Sequence, residues 1–189
     1  MDKKQPISTK RIVLAALMAA LTIVGSAIRI TMPIDIAGTT SFHLGNIMCA
    51  LSGILLGPWL GGLAAGLGSF LYDMTNPLYM SEAWITFLTK GIYGLFPGLT
   101  MLLWKKNWGV VKAGIAASAG AVAYAAAYLA KTYWWSGIFK HGLAPEAALV
   151  TVVSKIPATV FNAAVAIIFA PILAVSIRKA LEKSHLTLD

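Results

Sequence analysis

An apolar run from Ile12 to about Ile28, free of charged residues, is followed along the chain by more such runs. This succession constrains the fold more than any other feature. A helix of about 20 apolar residues spans the hydrocarbon core of a bilayer. A surface helix of a water-soluble domain needs a polar outer face, and most of this chain provides none. Charged residues make up 12% of the 189 positions, against about 25% in ordinary soluble domains. Mean hydropathy is +0.77. Lys3, Lys4, Lys10 and Arg11 precede the first run in the manner of a secretory signal, but the run is too long and has too many successors to be read as one.

The runs predict an all-α polytopic membrane protein, a compact bundle of six transmembrane helices in a single domain, 1–189. Span one runs from Arg11 to Ile30 and ends at Thr31-Met32-Pro33, with Ile34 to Ser41 as a loop. Spans two and three are short, about His43–Leu56 and Leu63–Thr75, separated by a turn at Gly57-Pro58-Trp59-Leu60-Gly61-Gly62. A single helix from Leu44 to Leu71 is the competing reading. Spans four to six follow at Trp84–Trp104, Lys112–Lys131 and Ala147–Ile177, with a loop from Tyr133 to Pro145 and possible kinks at Pro157 and Pro171. Small residues four apart let helix backbones approach. They occur at Ala15/Ala19, Ala16/Ala20, Gly62/Gly66 and Gly114/Ser118.

The basic residues set the orientation. With six spans, the ends and the even-numbered loops share one side. That side collects Lys3, Lys4, Lys10, Arg11, Lys105, Lys106, Lys112, Arg178, Lys179 and Lys183 of the 15 basic residues. Both termini are therefore expected in the cytoplasm of a bacterial cell. The same bias accounts for the net charge of +8 without any nucleic-acid partner. The lone Cys49 allows no internal disulfide.

No nucleotide-binding loop, hydrolytic constellation or cofactor motif is present in the sequence, and His43, His141 and His185 lie far apart along it. Polar residues gather instead near the expected outer ends of the helices. Candidate ligand contacts are Arg29, His43, Asn46, Tyr72, Asp73, Glu82, Trp84, Lys90, Tyr128, Lys131 and Trp135, with Asn162 and Lys155 further into the last span. Charges within a membrane face a cavity or pair inside the bundle. Small-molecule sites set a few polar groups in an apolar wall. The other reading is that these residues are mutual ion pairs, such as Asp73 with Lys90, and interface anchors.

The segment Leu44-Gly45-Asn46, then Leu55-Leu56-Gly57-Pro58-Trp59-Leu60-Gly61-Gly62 through Gly66-Leu67-Gly68-Ser69 to Tyr72-Asp73, joins a basic N-terminus and an alanine-rich first helix. Together they resemble the substrate-binding membrane subunits, the S-components, of energy-coupling factor (ECF) vitamin transporters, in the riboflavin-like branch. The resemblance covers essentially the whole chain. It implies a transport subunit with no catalytic residues and no cofactor, which captures a vitamin at the extracellular side. It also implies a membrane scaffold subunit and two cytoplasmic ATP-binding subunits as partners. The first helix would meet the scaffold through Ala15 and Ala19, or through the offset pair Ala16 and Ala20. Thr31 to Phe42 would form part of a gate, and the subunit would topple in the bilayer to release its ligand.

Among the family's vitamins, cobalamin is slightly preferred, from the glycine-bearing outer segment Trp135–Pro145 and the many aromatics. Pantothenate is close behind, because Arg29, Lys90 or Lys131 suits a carboxylate. Two other classes remain open: an autonomous ion-coupled permease, and a membrane assembly protein that binds no small molecule.

Overall fold

The computed structural model describes residues 8–35, 38–104 and 107–184, with the backbone alone of 32–35 and 38–40. Helix α1 spans Thr9–Ala27. The Ser8 side chain accepts from the Arg11 backbone N–H at 3.4 Å and so satisfies one of the orphan donors of a helix start. The chain then leaves helical geometry. Strands β1, Arg29–Asp35, and β2, Gly38–His43, form an antiparallel hairpin in which Arg29 faces His43 and Thr31 faces Ser41. The segment expected as a loop, including the gate from Thr31 to Phe42, is thus largely a hairpin.

Helix α2, Gly45–Leu56, and α3, Pro58–Met74, are separated by Gly57 alone. Gly57 has φ of 81°, a conformation that favours glycine. Pro58 follows at the first helical position, where its missing N–H is no loss. The break therefore takes one residue, and the expected turn through Gly62 is already helix. A 3-10 turn at Met80–Glu82 leads into α4, Ala83–Met101, which ends in another at Leu102–Trp104. Helix α5, Val110–Lys131, continues directly into a π-helix, Thr132–Lys140, where the sequence suggested a loop. Helix α6, Pro145–Lys183, passes Pro157 and Pro171 as one element of 39 residues.

The chain is an all-α membrane protein apart from its hairpin. Among the described residues, four helical stretches are long and apolar enough to cross a bilayer: Thr9–Ala27, Met80–Trp104, Val110–Lys140 and Pro145–Lys183. At 1.5 Å per residue, α2 reaches about 18 Å and α3 about 26 Å, short of the roughly 30 Å hydrocarbon core. The described residues contain six α-helices, four of which lie in stretches of spanning length. Helix α2 lies in the middle of the protein, with every residue buried except Met48. Lys3, Lys4, Lys105 and Lys106, on which the expected orientation leans, lie outside the described residues, as does His185.

Close backbone contact holds α3 against α4. A Cβ at Gly62 would stand 3.1 Å from the Gly91 carbonyl, and one at Gly66 would stand 2.8 Å from the Phe87 carbonyl. This expected small-residue pair is a true contact. Gly114 is different, since a Cβ there would meet only Pro171, at 4.0 Å. At the end away from the hairpin, the Arg11 guanidinium donates to the Leu56 carbonyl at 2.7 Å and caps α2. The apolar core, with Met18, Leu51 and Tyr93 fully enclosed, forms a floor below the polar end of the bundle.

Candidate ligand-binding site

The hairpin end of the bundle holds a partly open cavity of about 300 Å³. All six helices and both strands contribute to its wall, from Ser26 on α1 to Asn162 on α6. The volume lies at the lower end of the range for small-molecule pockets, about 300–1,000 Å³. The wall is unusually polar for such a pocket. Hydroxyls of Ser26, Ser69, Thr86, Thr89 and Thr159 line it beside the charged groups.

Lys90, on α4, is buried, and its ammonium donates to Asn46 Oδ1 on α2. It lies 4.2 Å from the centroid of the Tyr124 ring. Tyr124 stacks between Tyr93 and Tyr128, with centroids 4.8 and 5.6 Å away. Among the described residues, no ion pair joins Lys90 to Asp73. Arg29 is held at the start of β1 by an Nε bond to the Ser26 carbonyl at 2.8 Å. Its guanidinium lies over the rings of Tyr72, at 4.4 Å, and Tyr79, at 4.7 Å.

Glu82 ties the start of α4 to the π-helix. It pairs with Lys131, accepts from Lys140 at 3.0 Å, and accepts from the Ser136 hydroxyl at 3.4 Å. The three donors are five and four residues apart. In a helix bonded i to i+5, such positions share a face, so the π winding is what aims all three at one carboxylate.

Asn162 joins α6 to the hairpin. Its Nδ2 donates to the Ser41 carbonyl at 2.9 Å, and its Oδ1 accepts from the His43 N–H at 3.0 Å. Phe161 packs edge-on against Phe42, 4.8 Å between centroids. Burial, then the charges of Lys90 and Arg29, holds the His43 imidazole well below its ordinary value, so it is neutral near pH 7. Its Nδ1 is buried with no partner among the described residues.

Of the expected ligand contacts, Arg29, His43, Asn46, Asp73, Glu82, Lys90, Tyr128, Lys131 and Asn162 line the cavity. Tyr72, Trp84 and Trp135 do not. Tyr72 supports Arg29 from behind, and Trp84 packs edge-on against Trp135 with centroids 5.0 Å apart. Asn162 reaches the wall with its amide committed to hairpin backbone, so it positions the hairpin. Tyr124, Lys140 and Thr159 also line the cavity and are not among the expected contacts. The signal was helical spacing: Tyr124, Tyr128 and Lys131 share one face of α5, and Lys155, Thr159 and Asn162 share one face of α6. His141 also lines the cavity with His43, despite their distance in sequence. Among the described residues, no group of three or more His, Cys, Asp or Glu is placed to hold a metal ion.

The two alanine pairs of α1 face different ways. Ala15 and Ala19 are half-buried against the core, and the Ala19 carbonyl abuts Gly68 of α3 so closely that a Cβ there would clash. Ala16 and Ala20 are exposed, together with Val13, Leu17 and Val24.

A family model described as the S component of an ECF-type riboflavin transporter matches residues 6–179. An uncharacterized protein in the gap 3′ region of Pyrococcus woesei is 37% identical over 79 residues, 42% of this chain. The match spans about half the length of that curated relative, 50%. A family match over nearly the full chain, on a helical membrane protein with a polar cavity, settles the lineage: the chain belongs to the S components of ECF-type riboflavin transporters.

Proposed function

We propose that this chain is the vitamin-capturing subunit of an ATP-driven importer. It forms a single substrate-binding domain in the cell membrane with both termini on the cytoplasmic side. The carrying observation is the polar cavity of about 300 Å³ at the hairpin end, in a chain of this family. A vitamin enters beneath the hairpin, and delivery proceeds in a complex with a membrane scaffold subunit and two ATP-binding subunits. The basic residues near the termini and after α4 support the orientation, because they would face the cytoplasm. The exposed Ala16/Ala20 face of α1 supports contact with the scaffold.

The family's description makes riboflavin a candidate ligand beside the acid pantothenate. The preference for cobalamin gains no support, because the cavity is small and lined by hydroxyls and charges where a broad corrin would require apolar area. The test is equilibrium binding of riboflavin, pantothenate and cobalamin to the purified chain in detergent. Saturable one-to-one binding of at least one is expected. Failure of all three to bind would remove the capture role.

A further inference from the structure

The charges around the cavity do not balance. Among the described residues, five cationic side chains line the wall: Arg29, Lys90, Lys131, Lys140 and Lys155. Among the same described residues, two carboxylates accompany them, Asp73 and Glu82. Glu82 is already engaged by Lys131 and Lys140. Asp73 is then left to offset Arg29 and Lys90, since Lys155 has an interaction of its own. Buried charge is costly unless it is matched by opposite charge, more so within a bilayer.

Lys90 is the most telling of these groups. It is 5% exposed, and its hydrogen-bond acceptor among the described residues is a neutral amide oxygen, that of Asn46. An ammonium has three donors. The Tyr124 ring at 4.2 Å supplies a weak electrostatic partner, not a counter-charge. Arg29 approaches the same cavity with its guanidinium fixed over two tyrosine rings, so little side-chain freedom is left to lose when it meets a ligand. Hydroxyls cover much of the remaining wall. They suit oxygen-rich ligand groups and supply no negative charge.

We infer that the cavity selects an acidic vitamin, one bearing a carboxylate or a phosphate, and that Lys90 is the residue that selects for the acid. The inference rests on the capture role proposed above. It also narrows the expected partners of an anion, Arg29, Lys90 or Lys131, to Lys90, because Glu82 already meets the charge of Lys131. A neutral vitamin would fill the space and leave the excess positive charge uncompensated.

Two pairs of ligands test this, each an acid with its neutral twin. Pantothenate is paired with pantothenol, in which an alcohol replaces the carboxylate. Riboflavin 5′-phosphate is paired with riboflavin. Equilibrium binding of all four to the full chain in detergent should show the acid of one pair binding about tenfold tighter or more than its twin, the factor that one charge-assisted hydrogen bond supplies. The pair that responds identifies carboxylate or phosphate as the source. The preference should fall as salt rises and should collapse toward unity in Lys90→Met, while Lys90→Arg should retain it. Equal or tighter binding of the neutral twin in every pair that binds would overturn the acid inference and leave the capture role standing. An acid preference that survives intact in Lys90→Met would overturn the assignment to Lys90. Absence of binding by all four and by cobalamin would overturn the capture role and this inference with it.

Discussion

Glu82→Gln removes one negative charge and almost no volume, so its effect isolates the electrostatic tie between α4 and the π-helix. The partners are partly shielded: the Lys131 and Glu82 side chains are 13% and 19% exposed, and Lys140 is 35% exposed. Breaking a fully buried pair from one side costs about 3–5 kcal/mol, and an exposed pair contributes about 0–1 kcal/mol. This pair lies between those limits, and two cations lose their counter-charge together, so a loss of about 2 kcal/mol is expected. For a chain of this size each kcal/mol shifts Tm by about 2–4 °C. The variant should therefore melt about 4–8 °C lower, read by tryptophan fluorescence in detergent at a fixed scan rate. Lys131→Met should also destabilise. The double variant should lose clearly less than the two single losses added together, with a coupling of about 1 kcal/mol or more. A Glu82→Gln shift under about 1 °C, or strictly additive losses, would refute the tie.

Four further outcomes follow from the geometry. Asn162→Leu removes two hydrogen bonds to the hairpin backbone, about 2 kcal/mol together, so amide exchange at His43 should quicken by about tenfold or more; unchanged protection would show that Asn162 does not pin the hairpin. Gly66→Val should lower stability by about 1–3 kcal/mol through the clash with the Phe87 carbonyl, whereas Gly114→Ala should stay within about 0.5 kcal/mol, both read as Tm. Ala16→Trp or Ala20→Trp should weaken co-purification with the scaffold subunit and spare vitamin binding; intact complexes from both would exclude that face. The unfolded chain takes up a proton at His43 near pH 6.5 while the folded chain resists it. Stability should therefore fall by up to about 1.4 kcal/mol per pH unit as the pH drops below about 6.5, and a melting series should show the slope flattened in His43→Asn.

The helices were legible because their ends carry local chemistry. Gly57-Pro58 announces the α2–α3 break, and the apolar runs mark α1, α4 and α5 to within a few residues, whereas α6 runs six residues beyond its apolar stretch, through the basic turn to Lys183. The hairpin was not legible. Pro33, Asp35 and Gly38 read as loop residues, and two short strands gain their stability from docking on α6 through Asn162, a contact across 119 residues that no local pattern carries. The π-helix was hidden for a related reason. Nothing in Thr132–Lys140 demands i to i+5 winding until Glu82, about 50 residues earlier, is there to receive its donors. The site was largely visible as polar residues in apolar helices, because such residues need a cavity or a partner. Which of them face the cavity and which brace each other depends on helix rotation, and that is why Tyr72, Trp84 and Trp135 were placed on the wall and Tyr124 was not.

The central claim is that this chain captures a vitamin and depends on partners for energy. Reconstitution into liposomes, alone and with a scaffold subunit and two ATP-binding subunits, tests it most directly. ATP-dependent vitamin uptake is expected in the full set and none with the chain alone. Uptake by the chain alone, driven by an ion gradient, would contradict it.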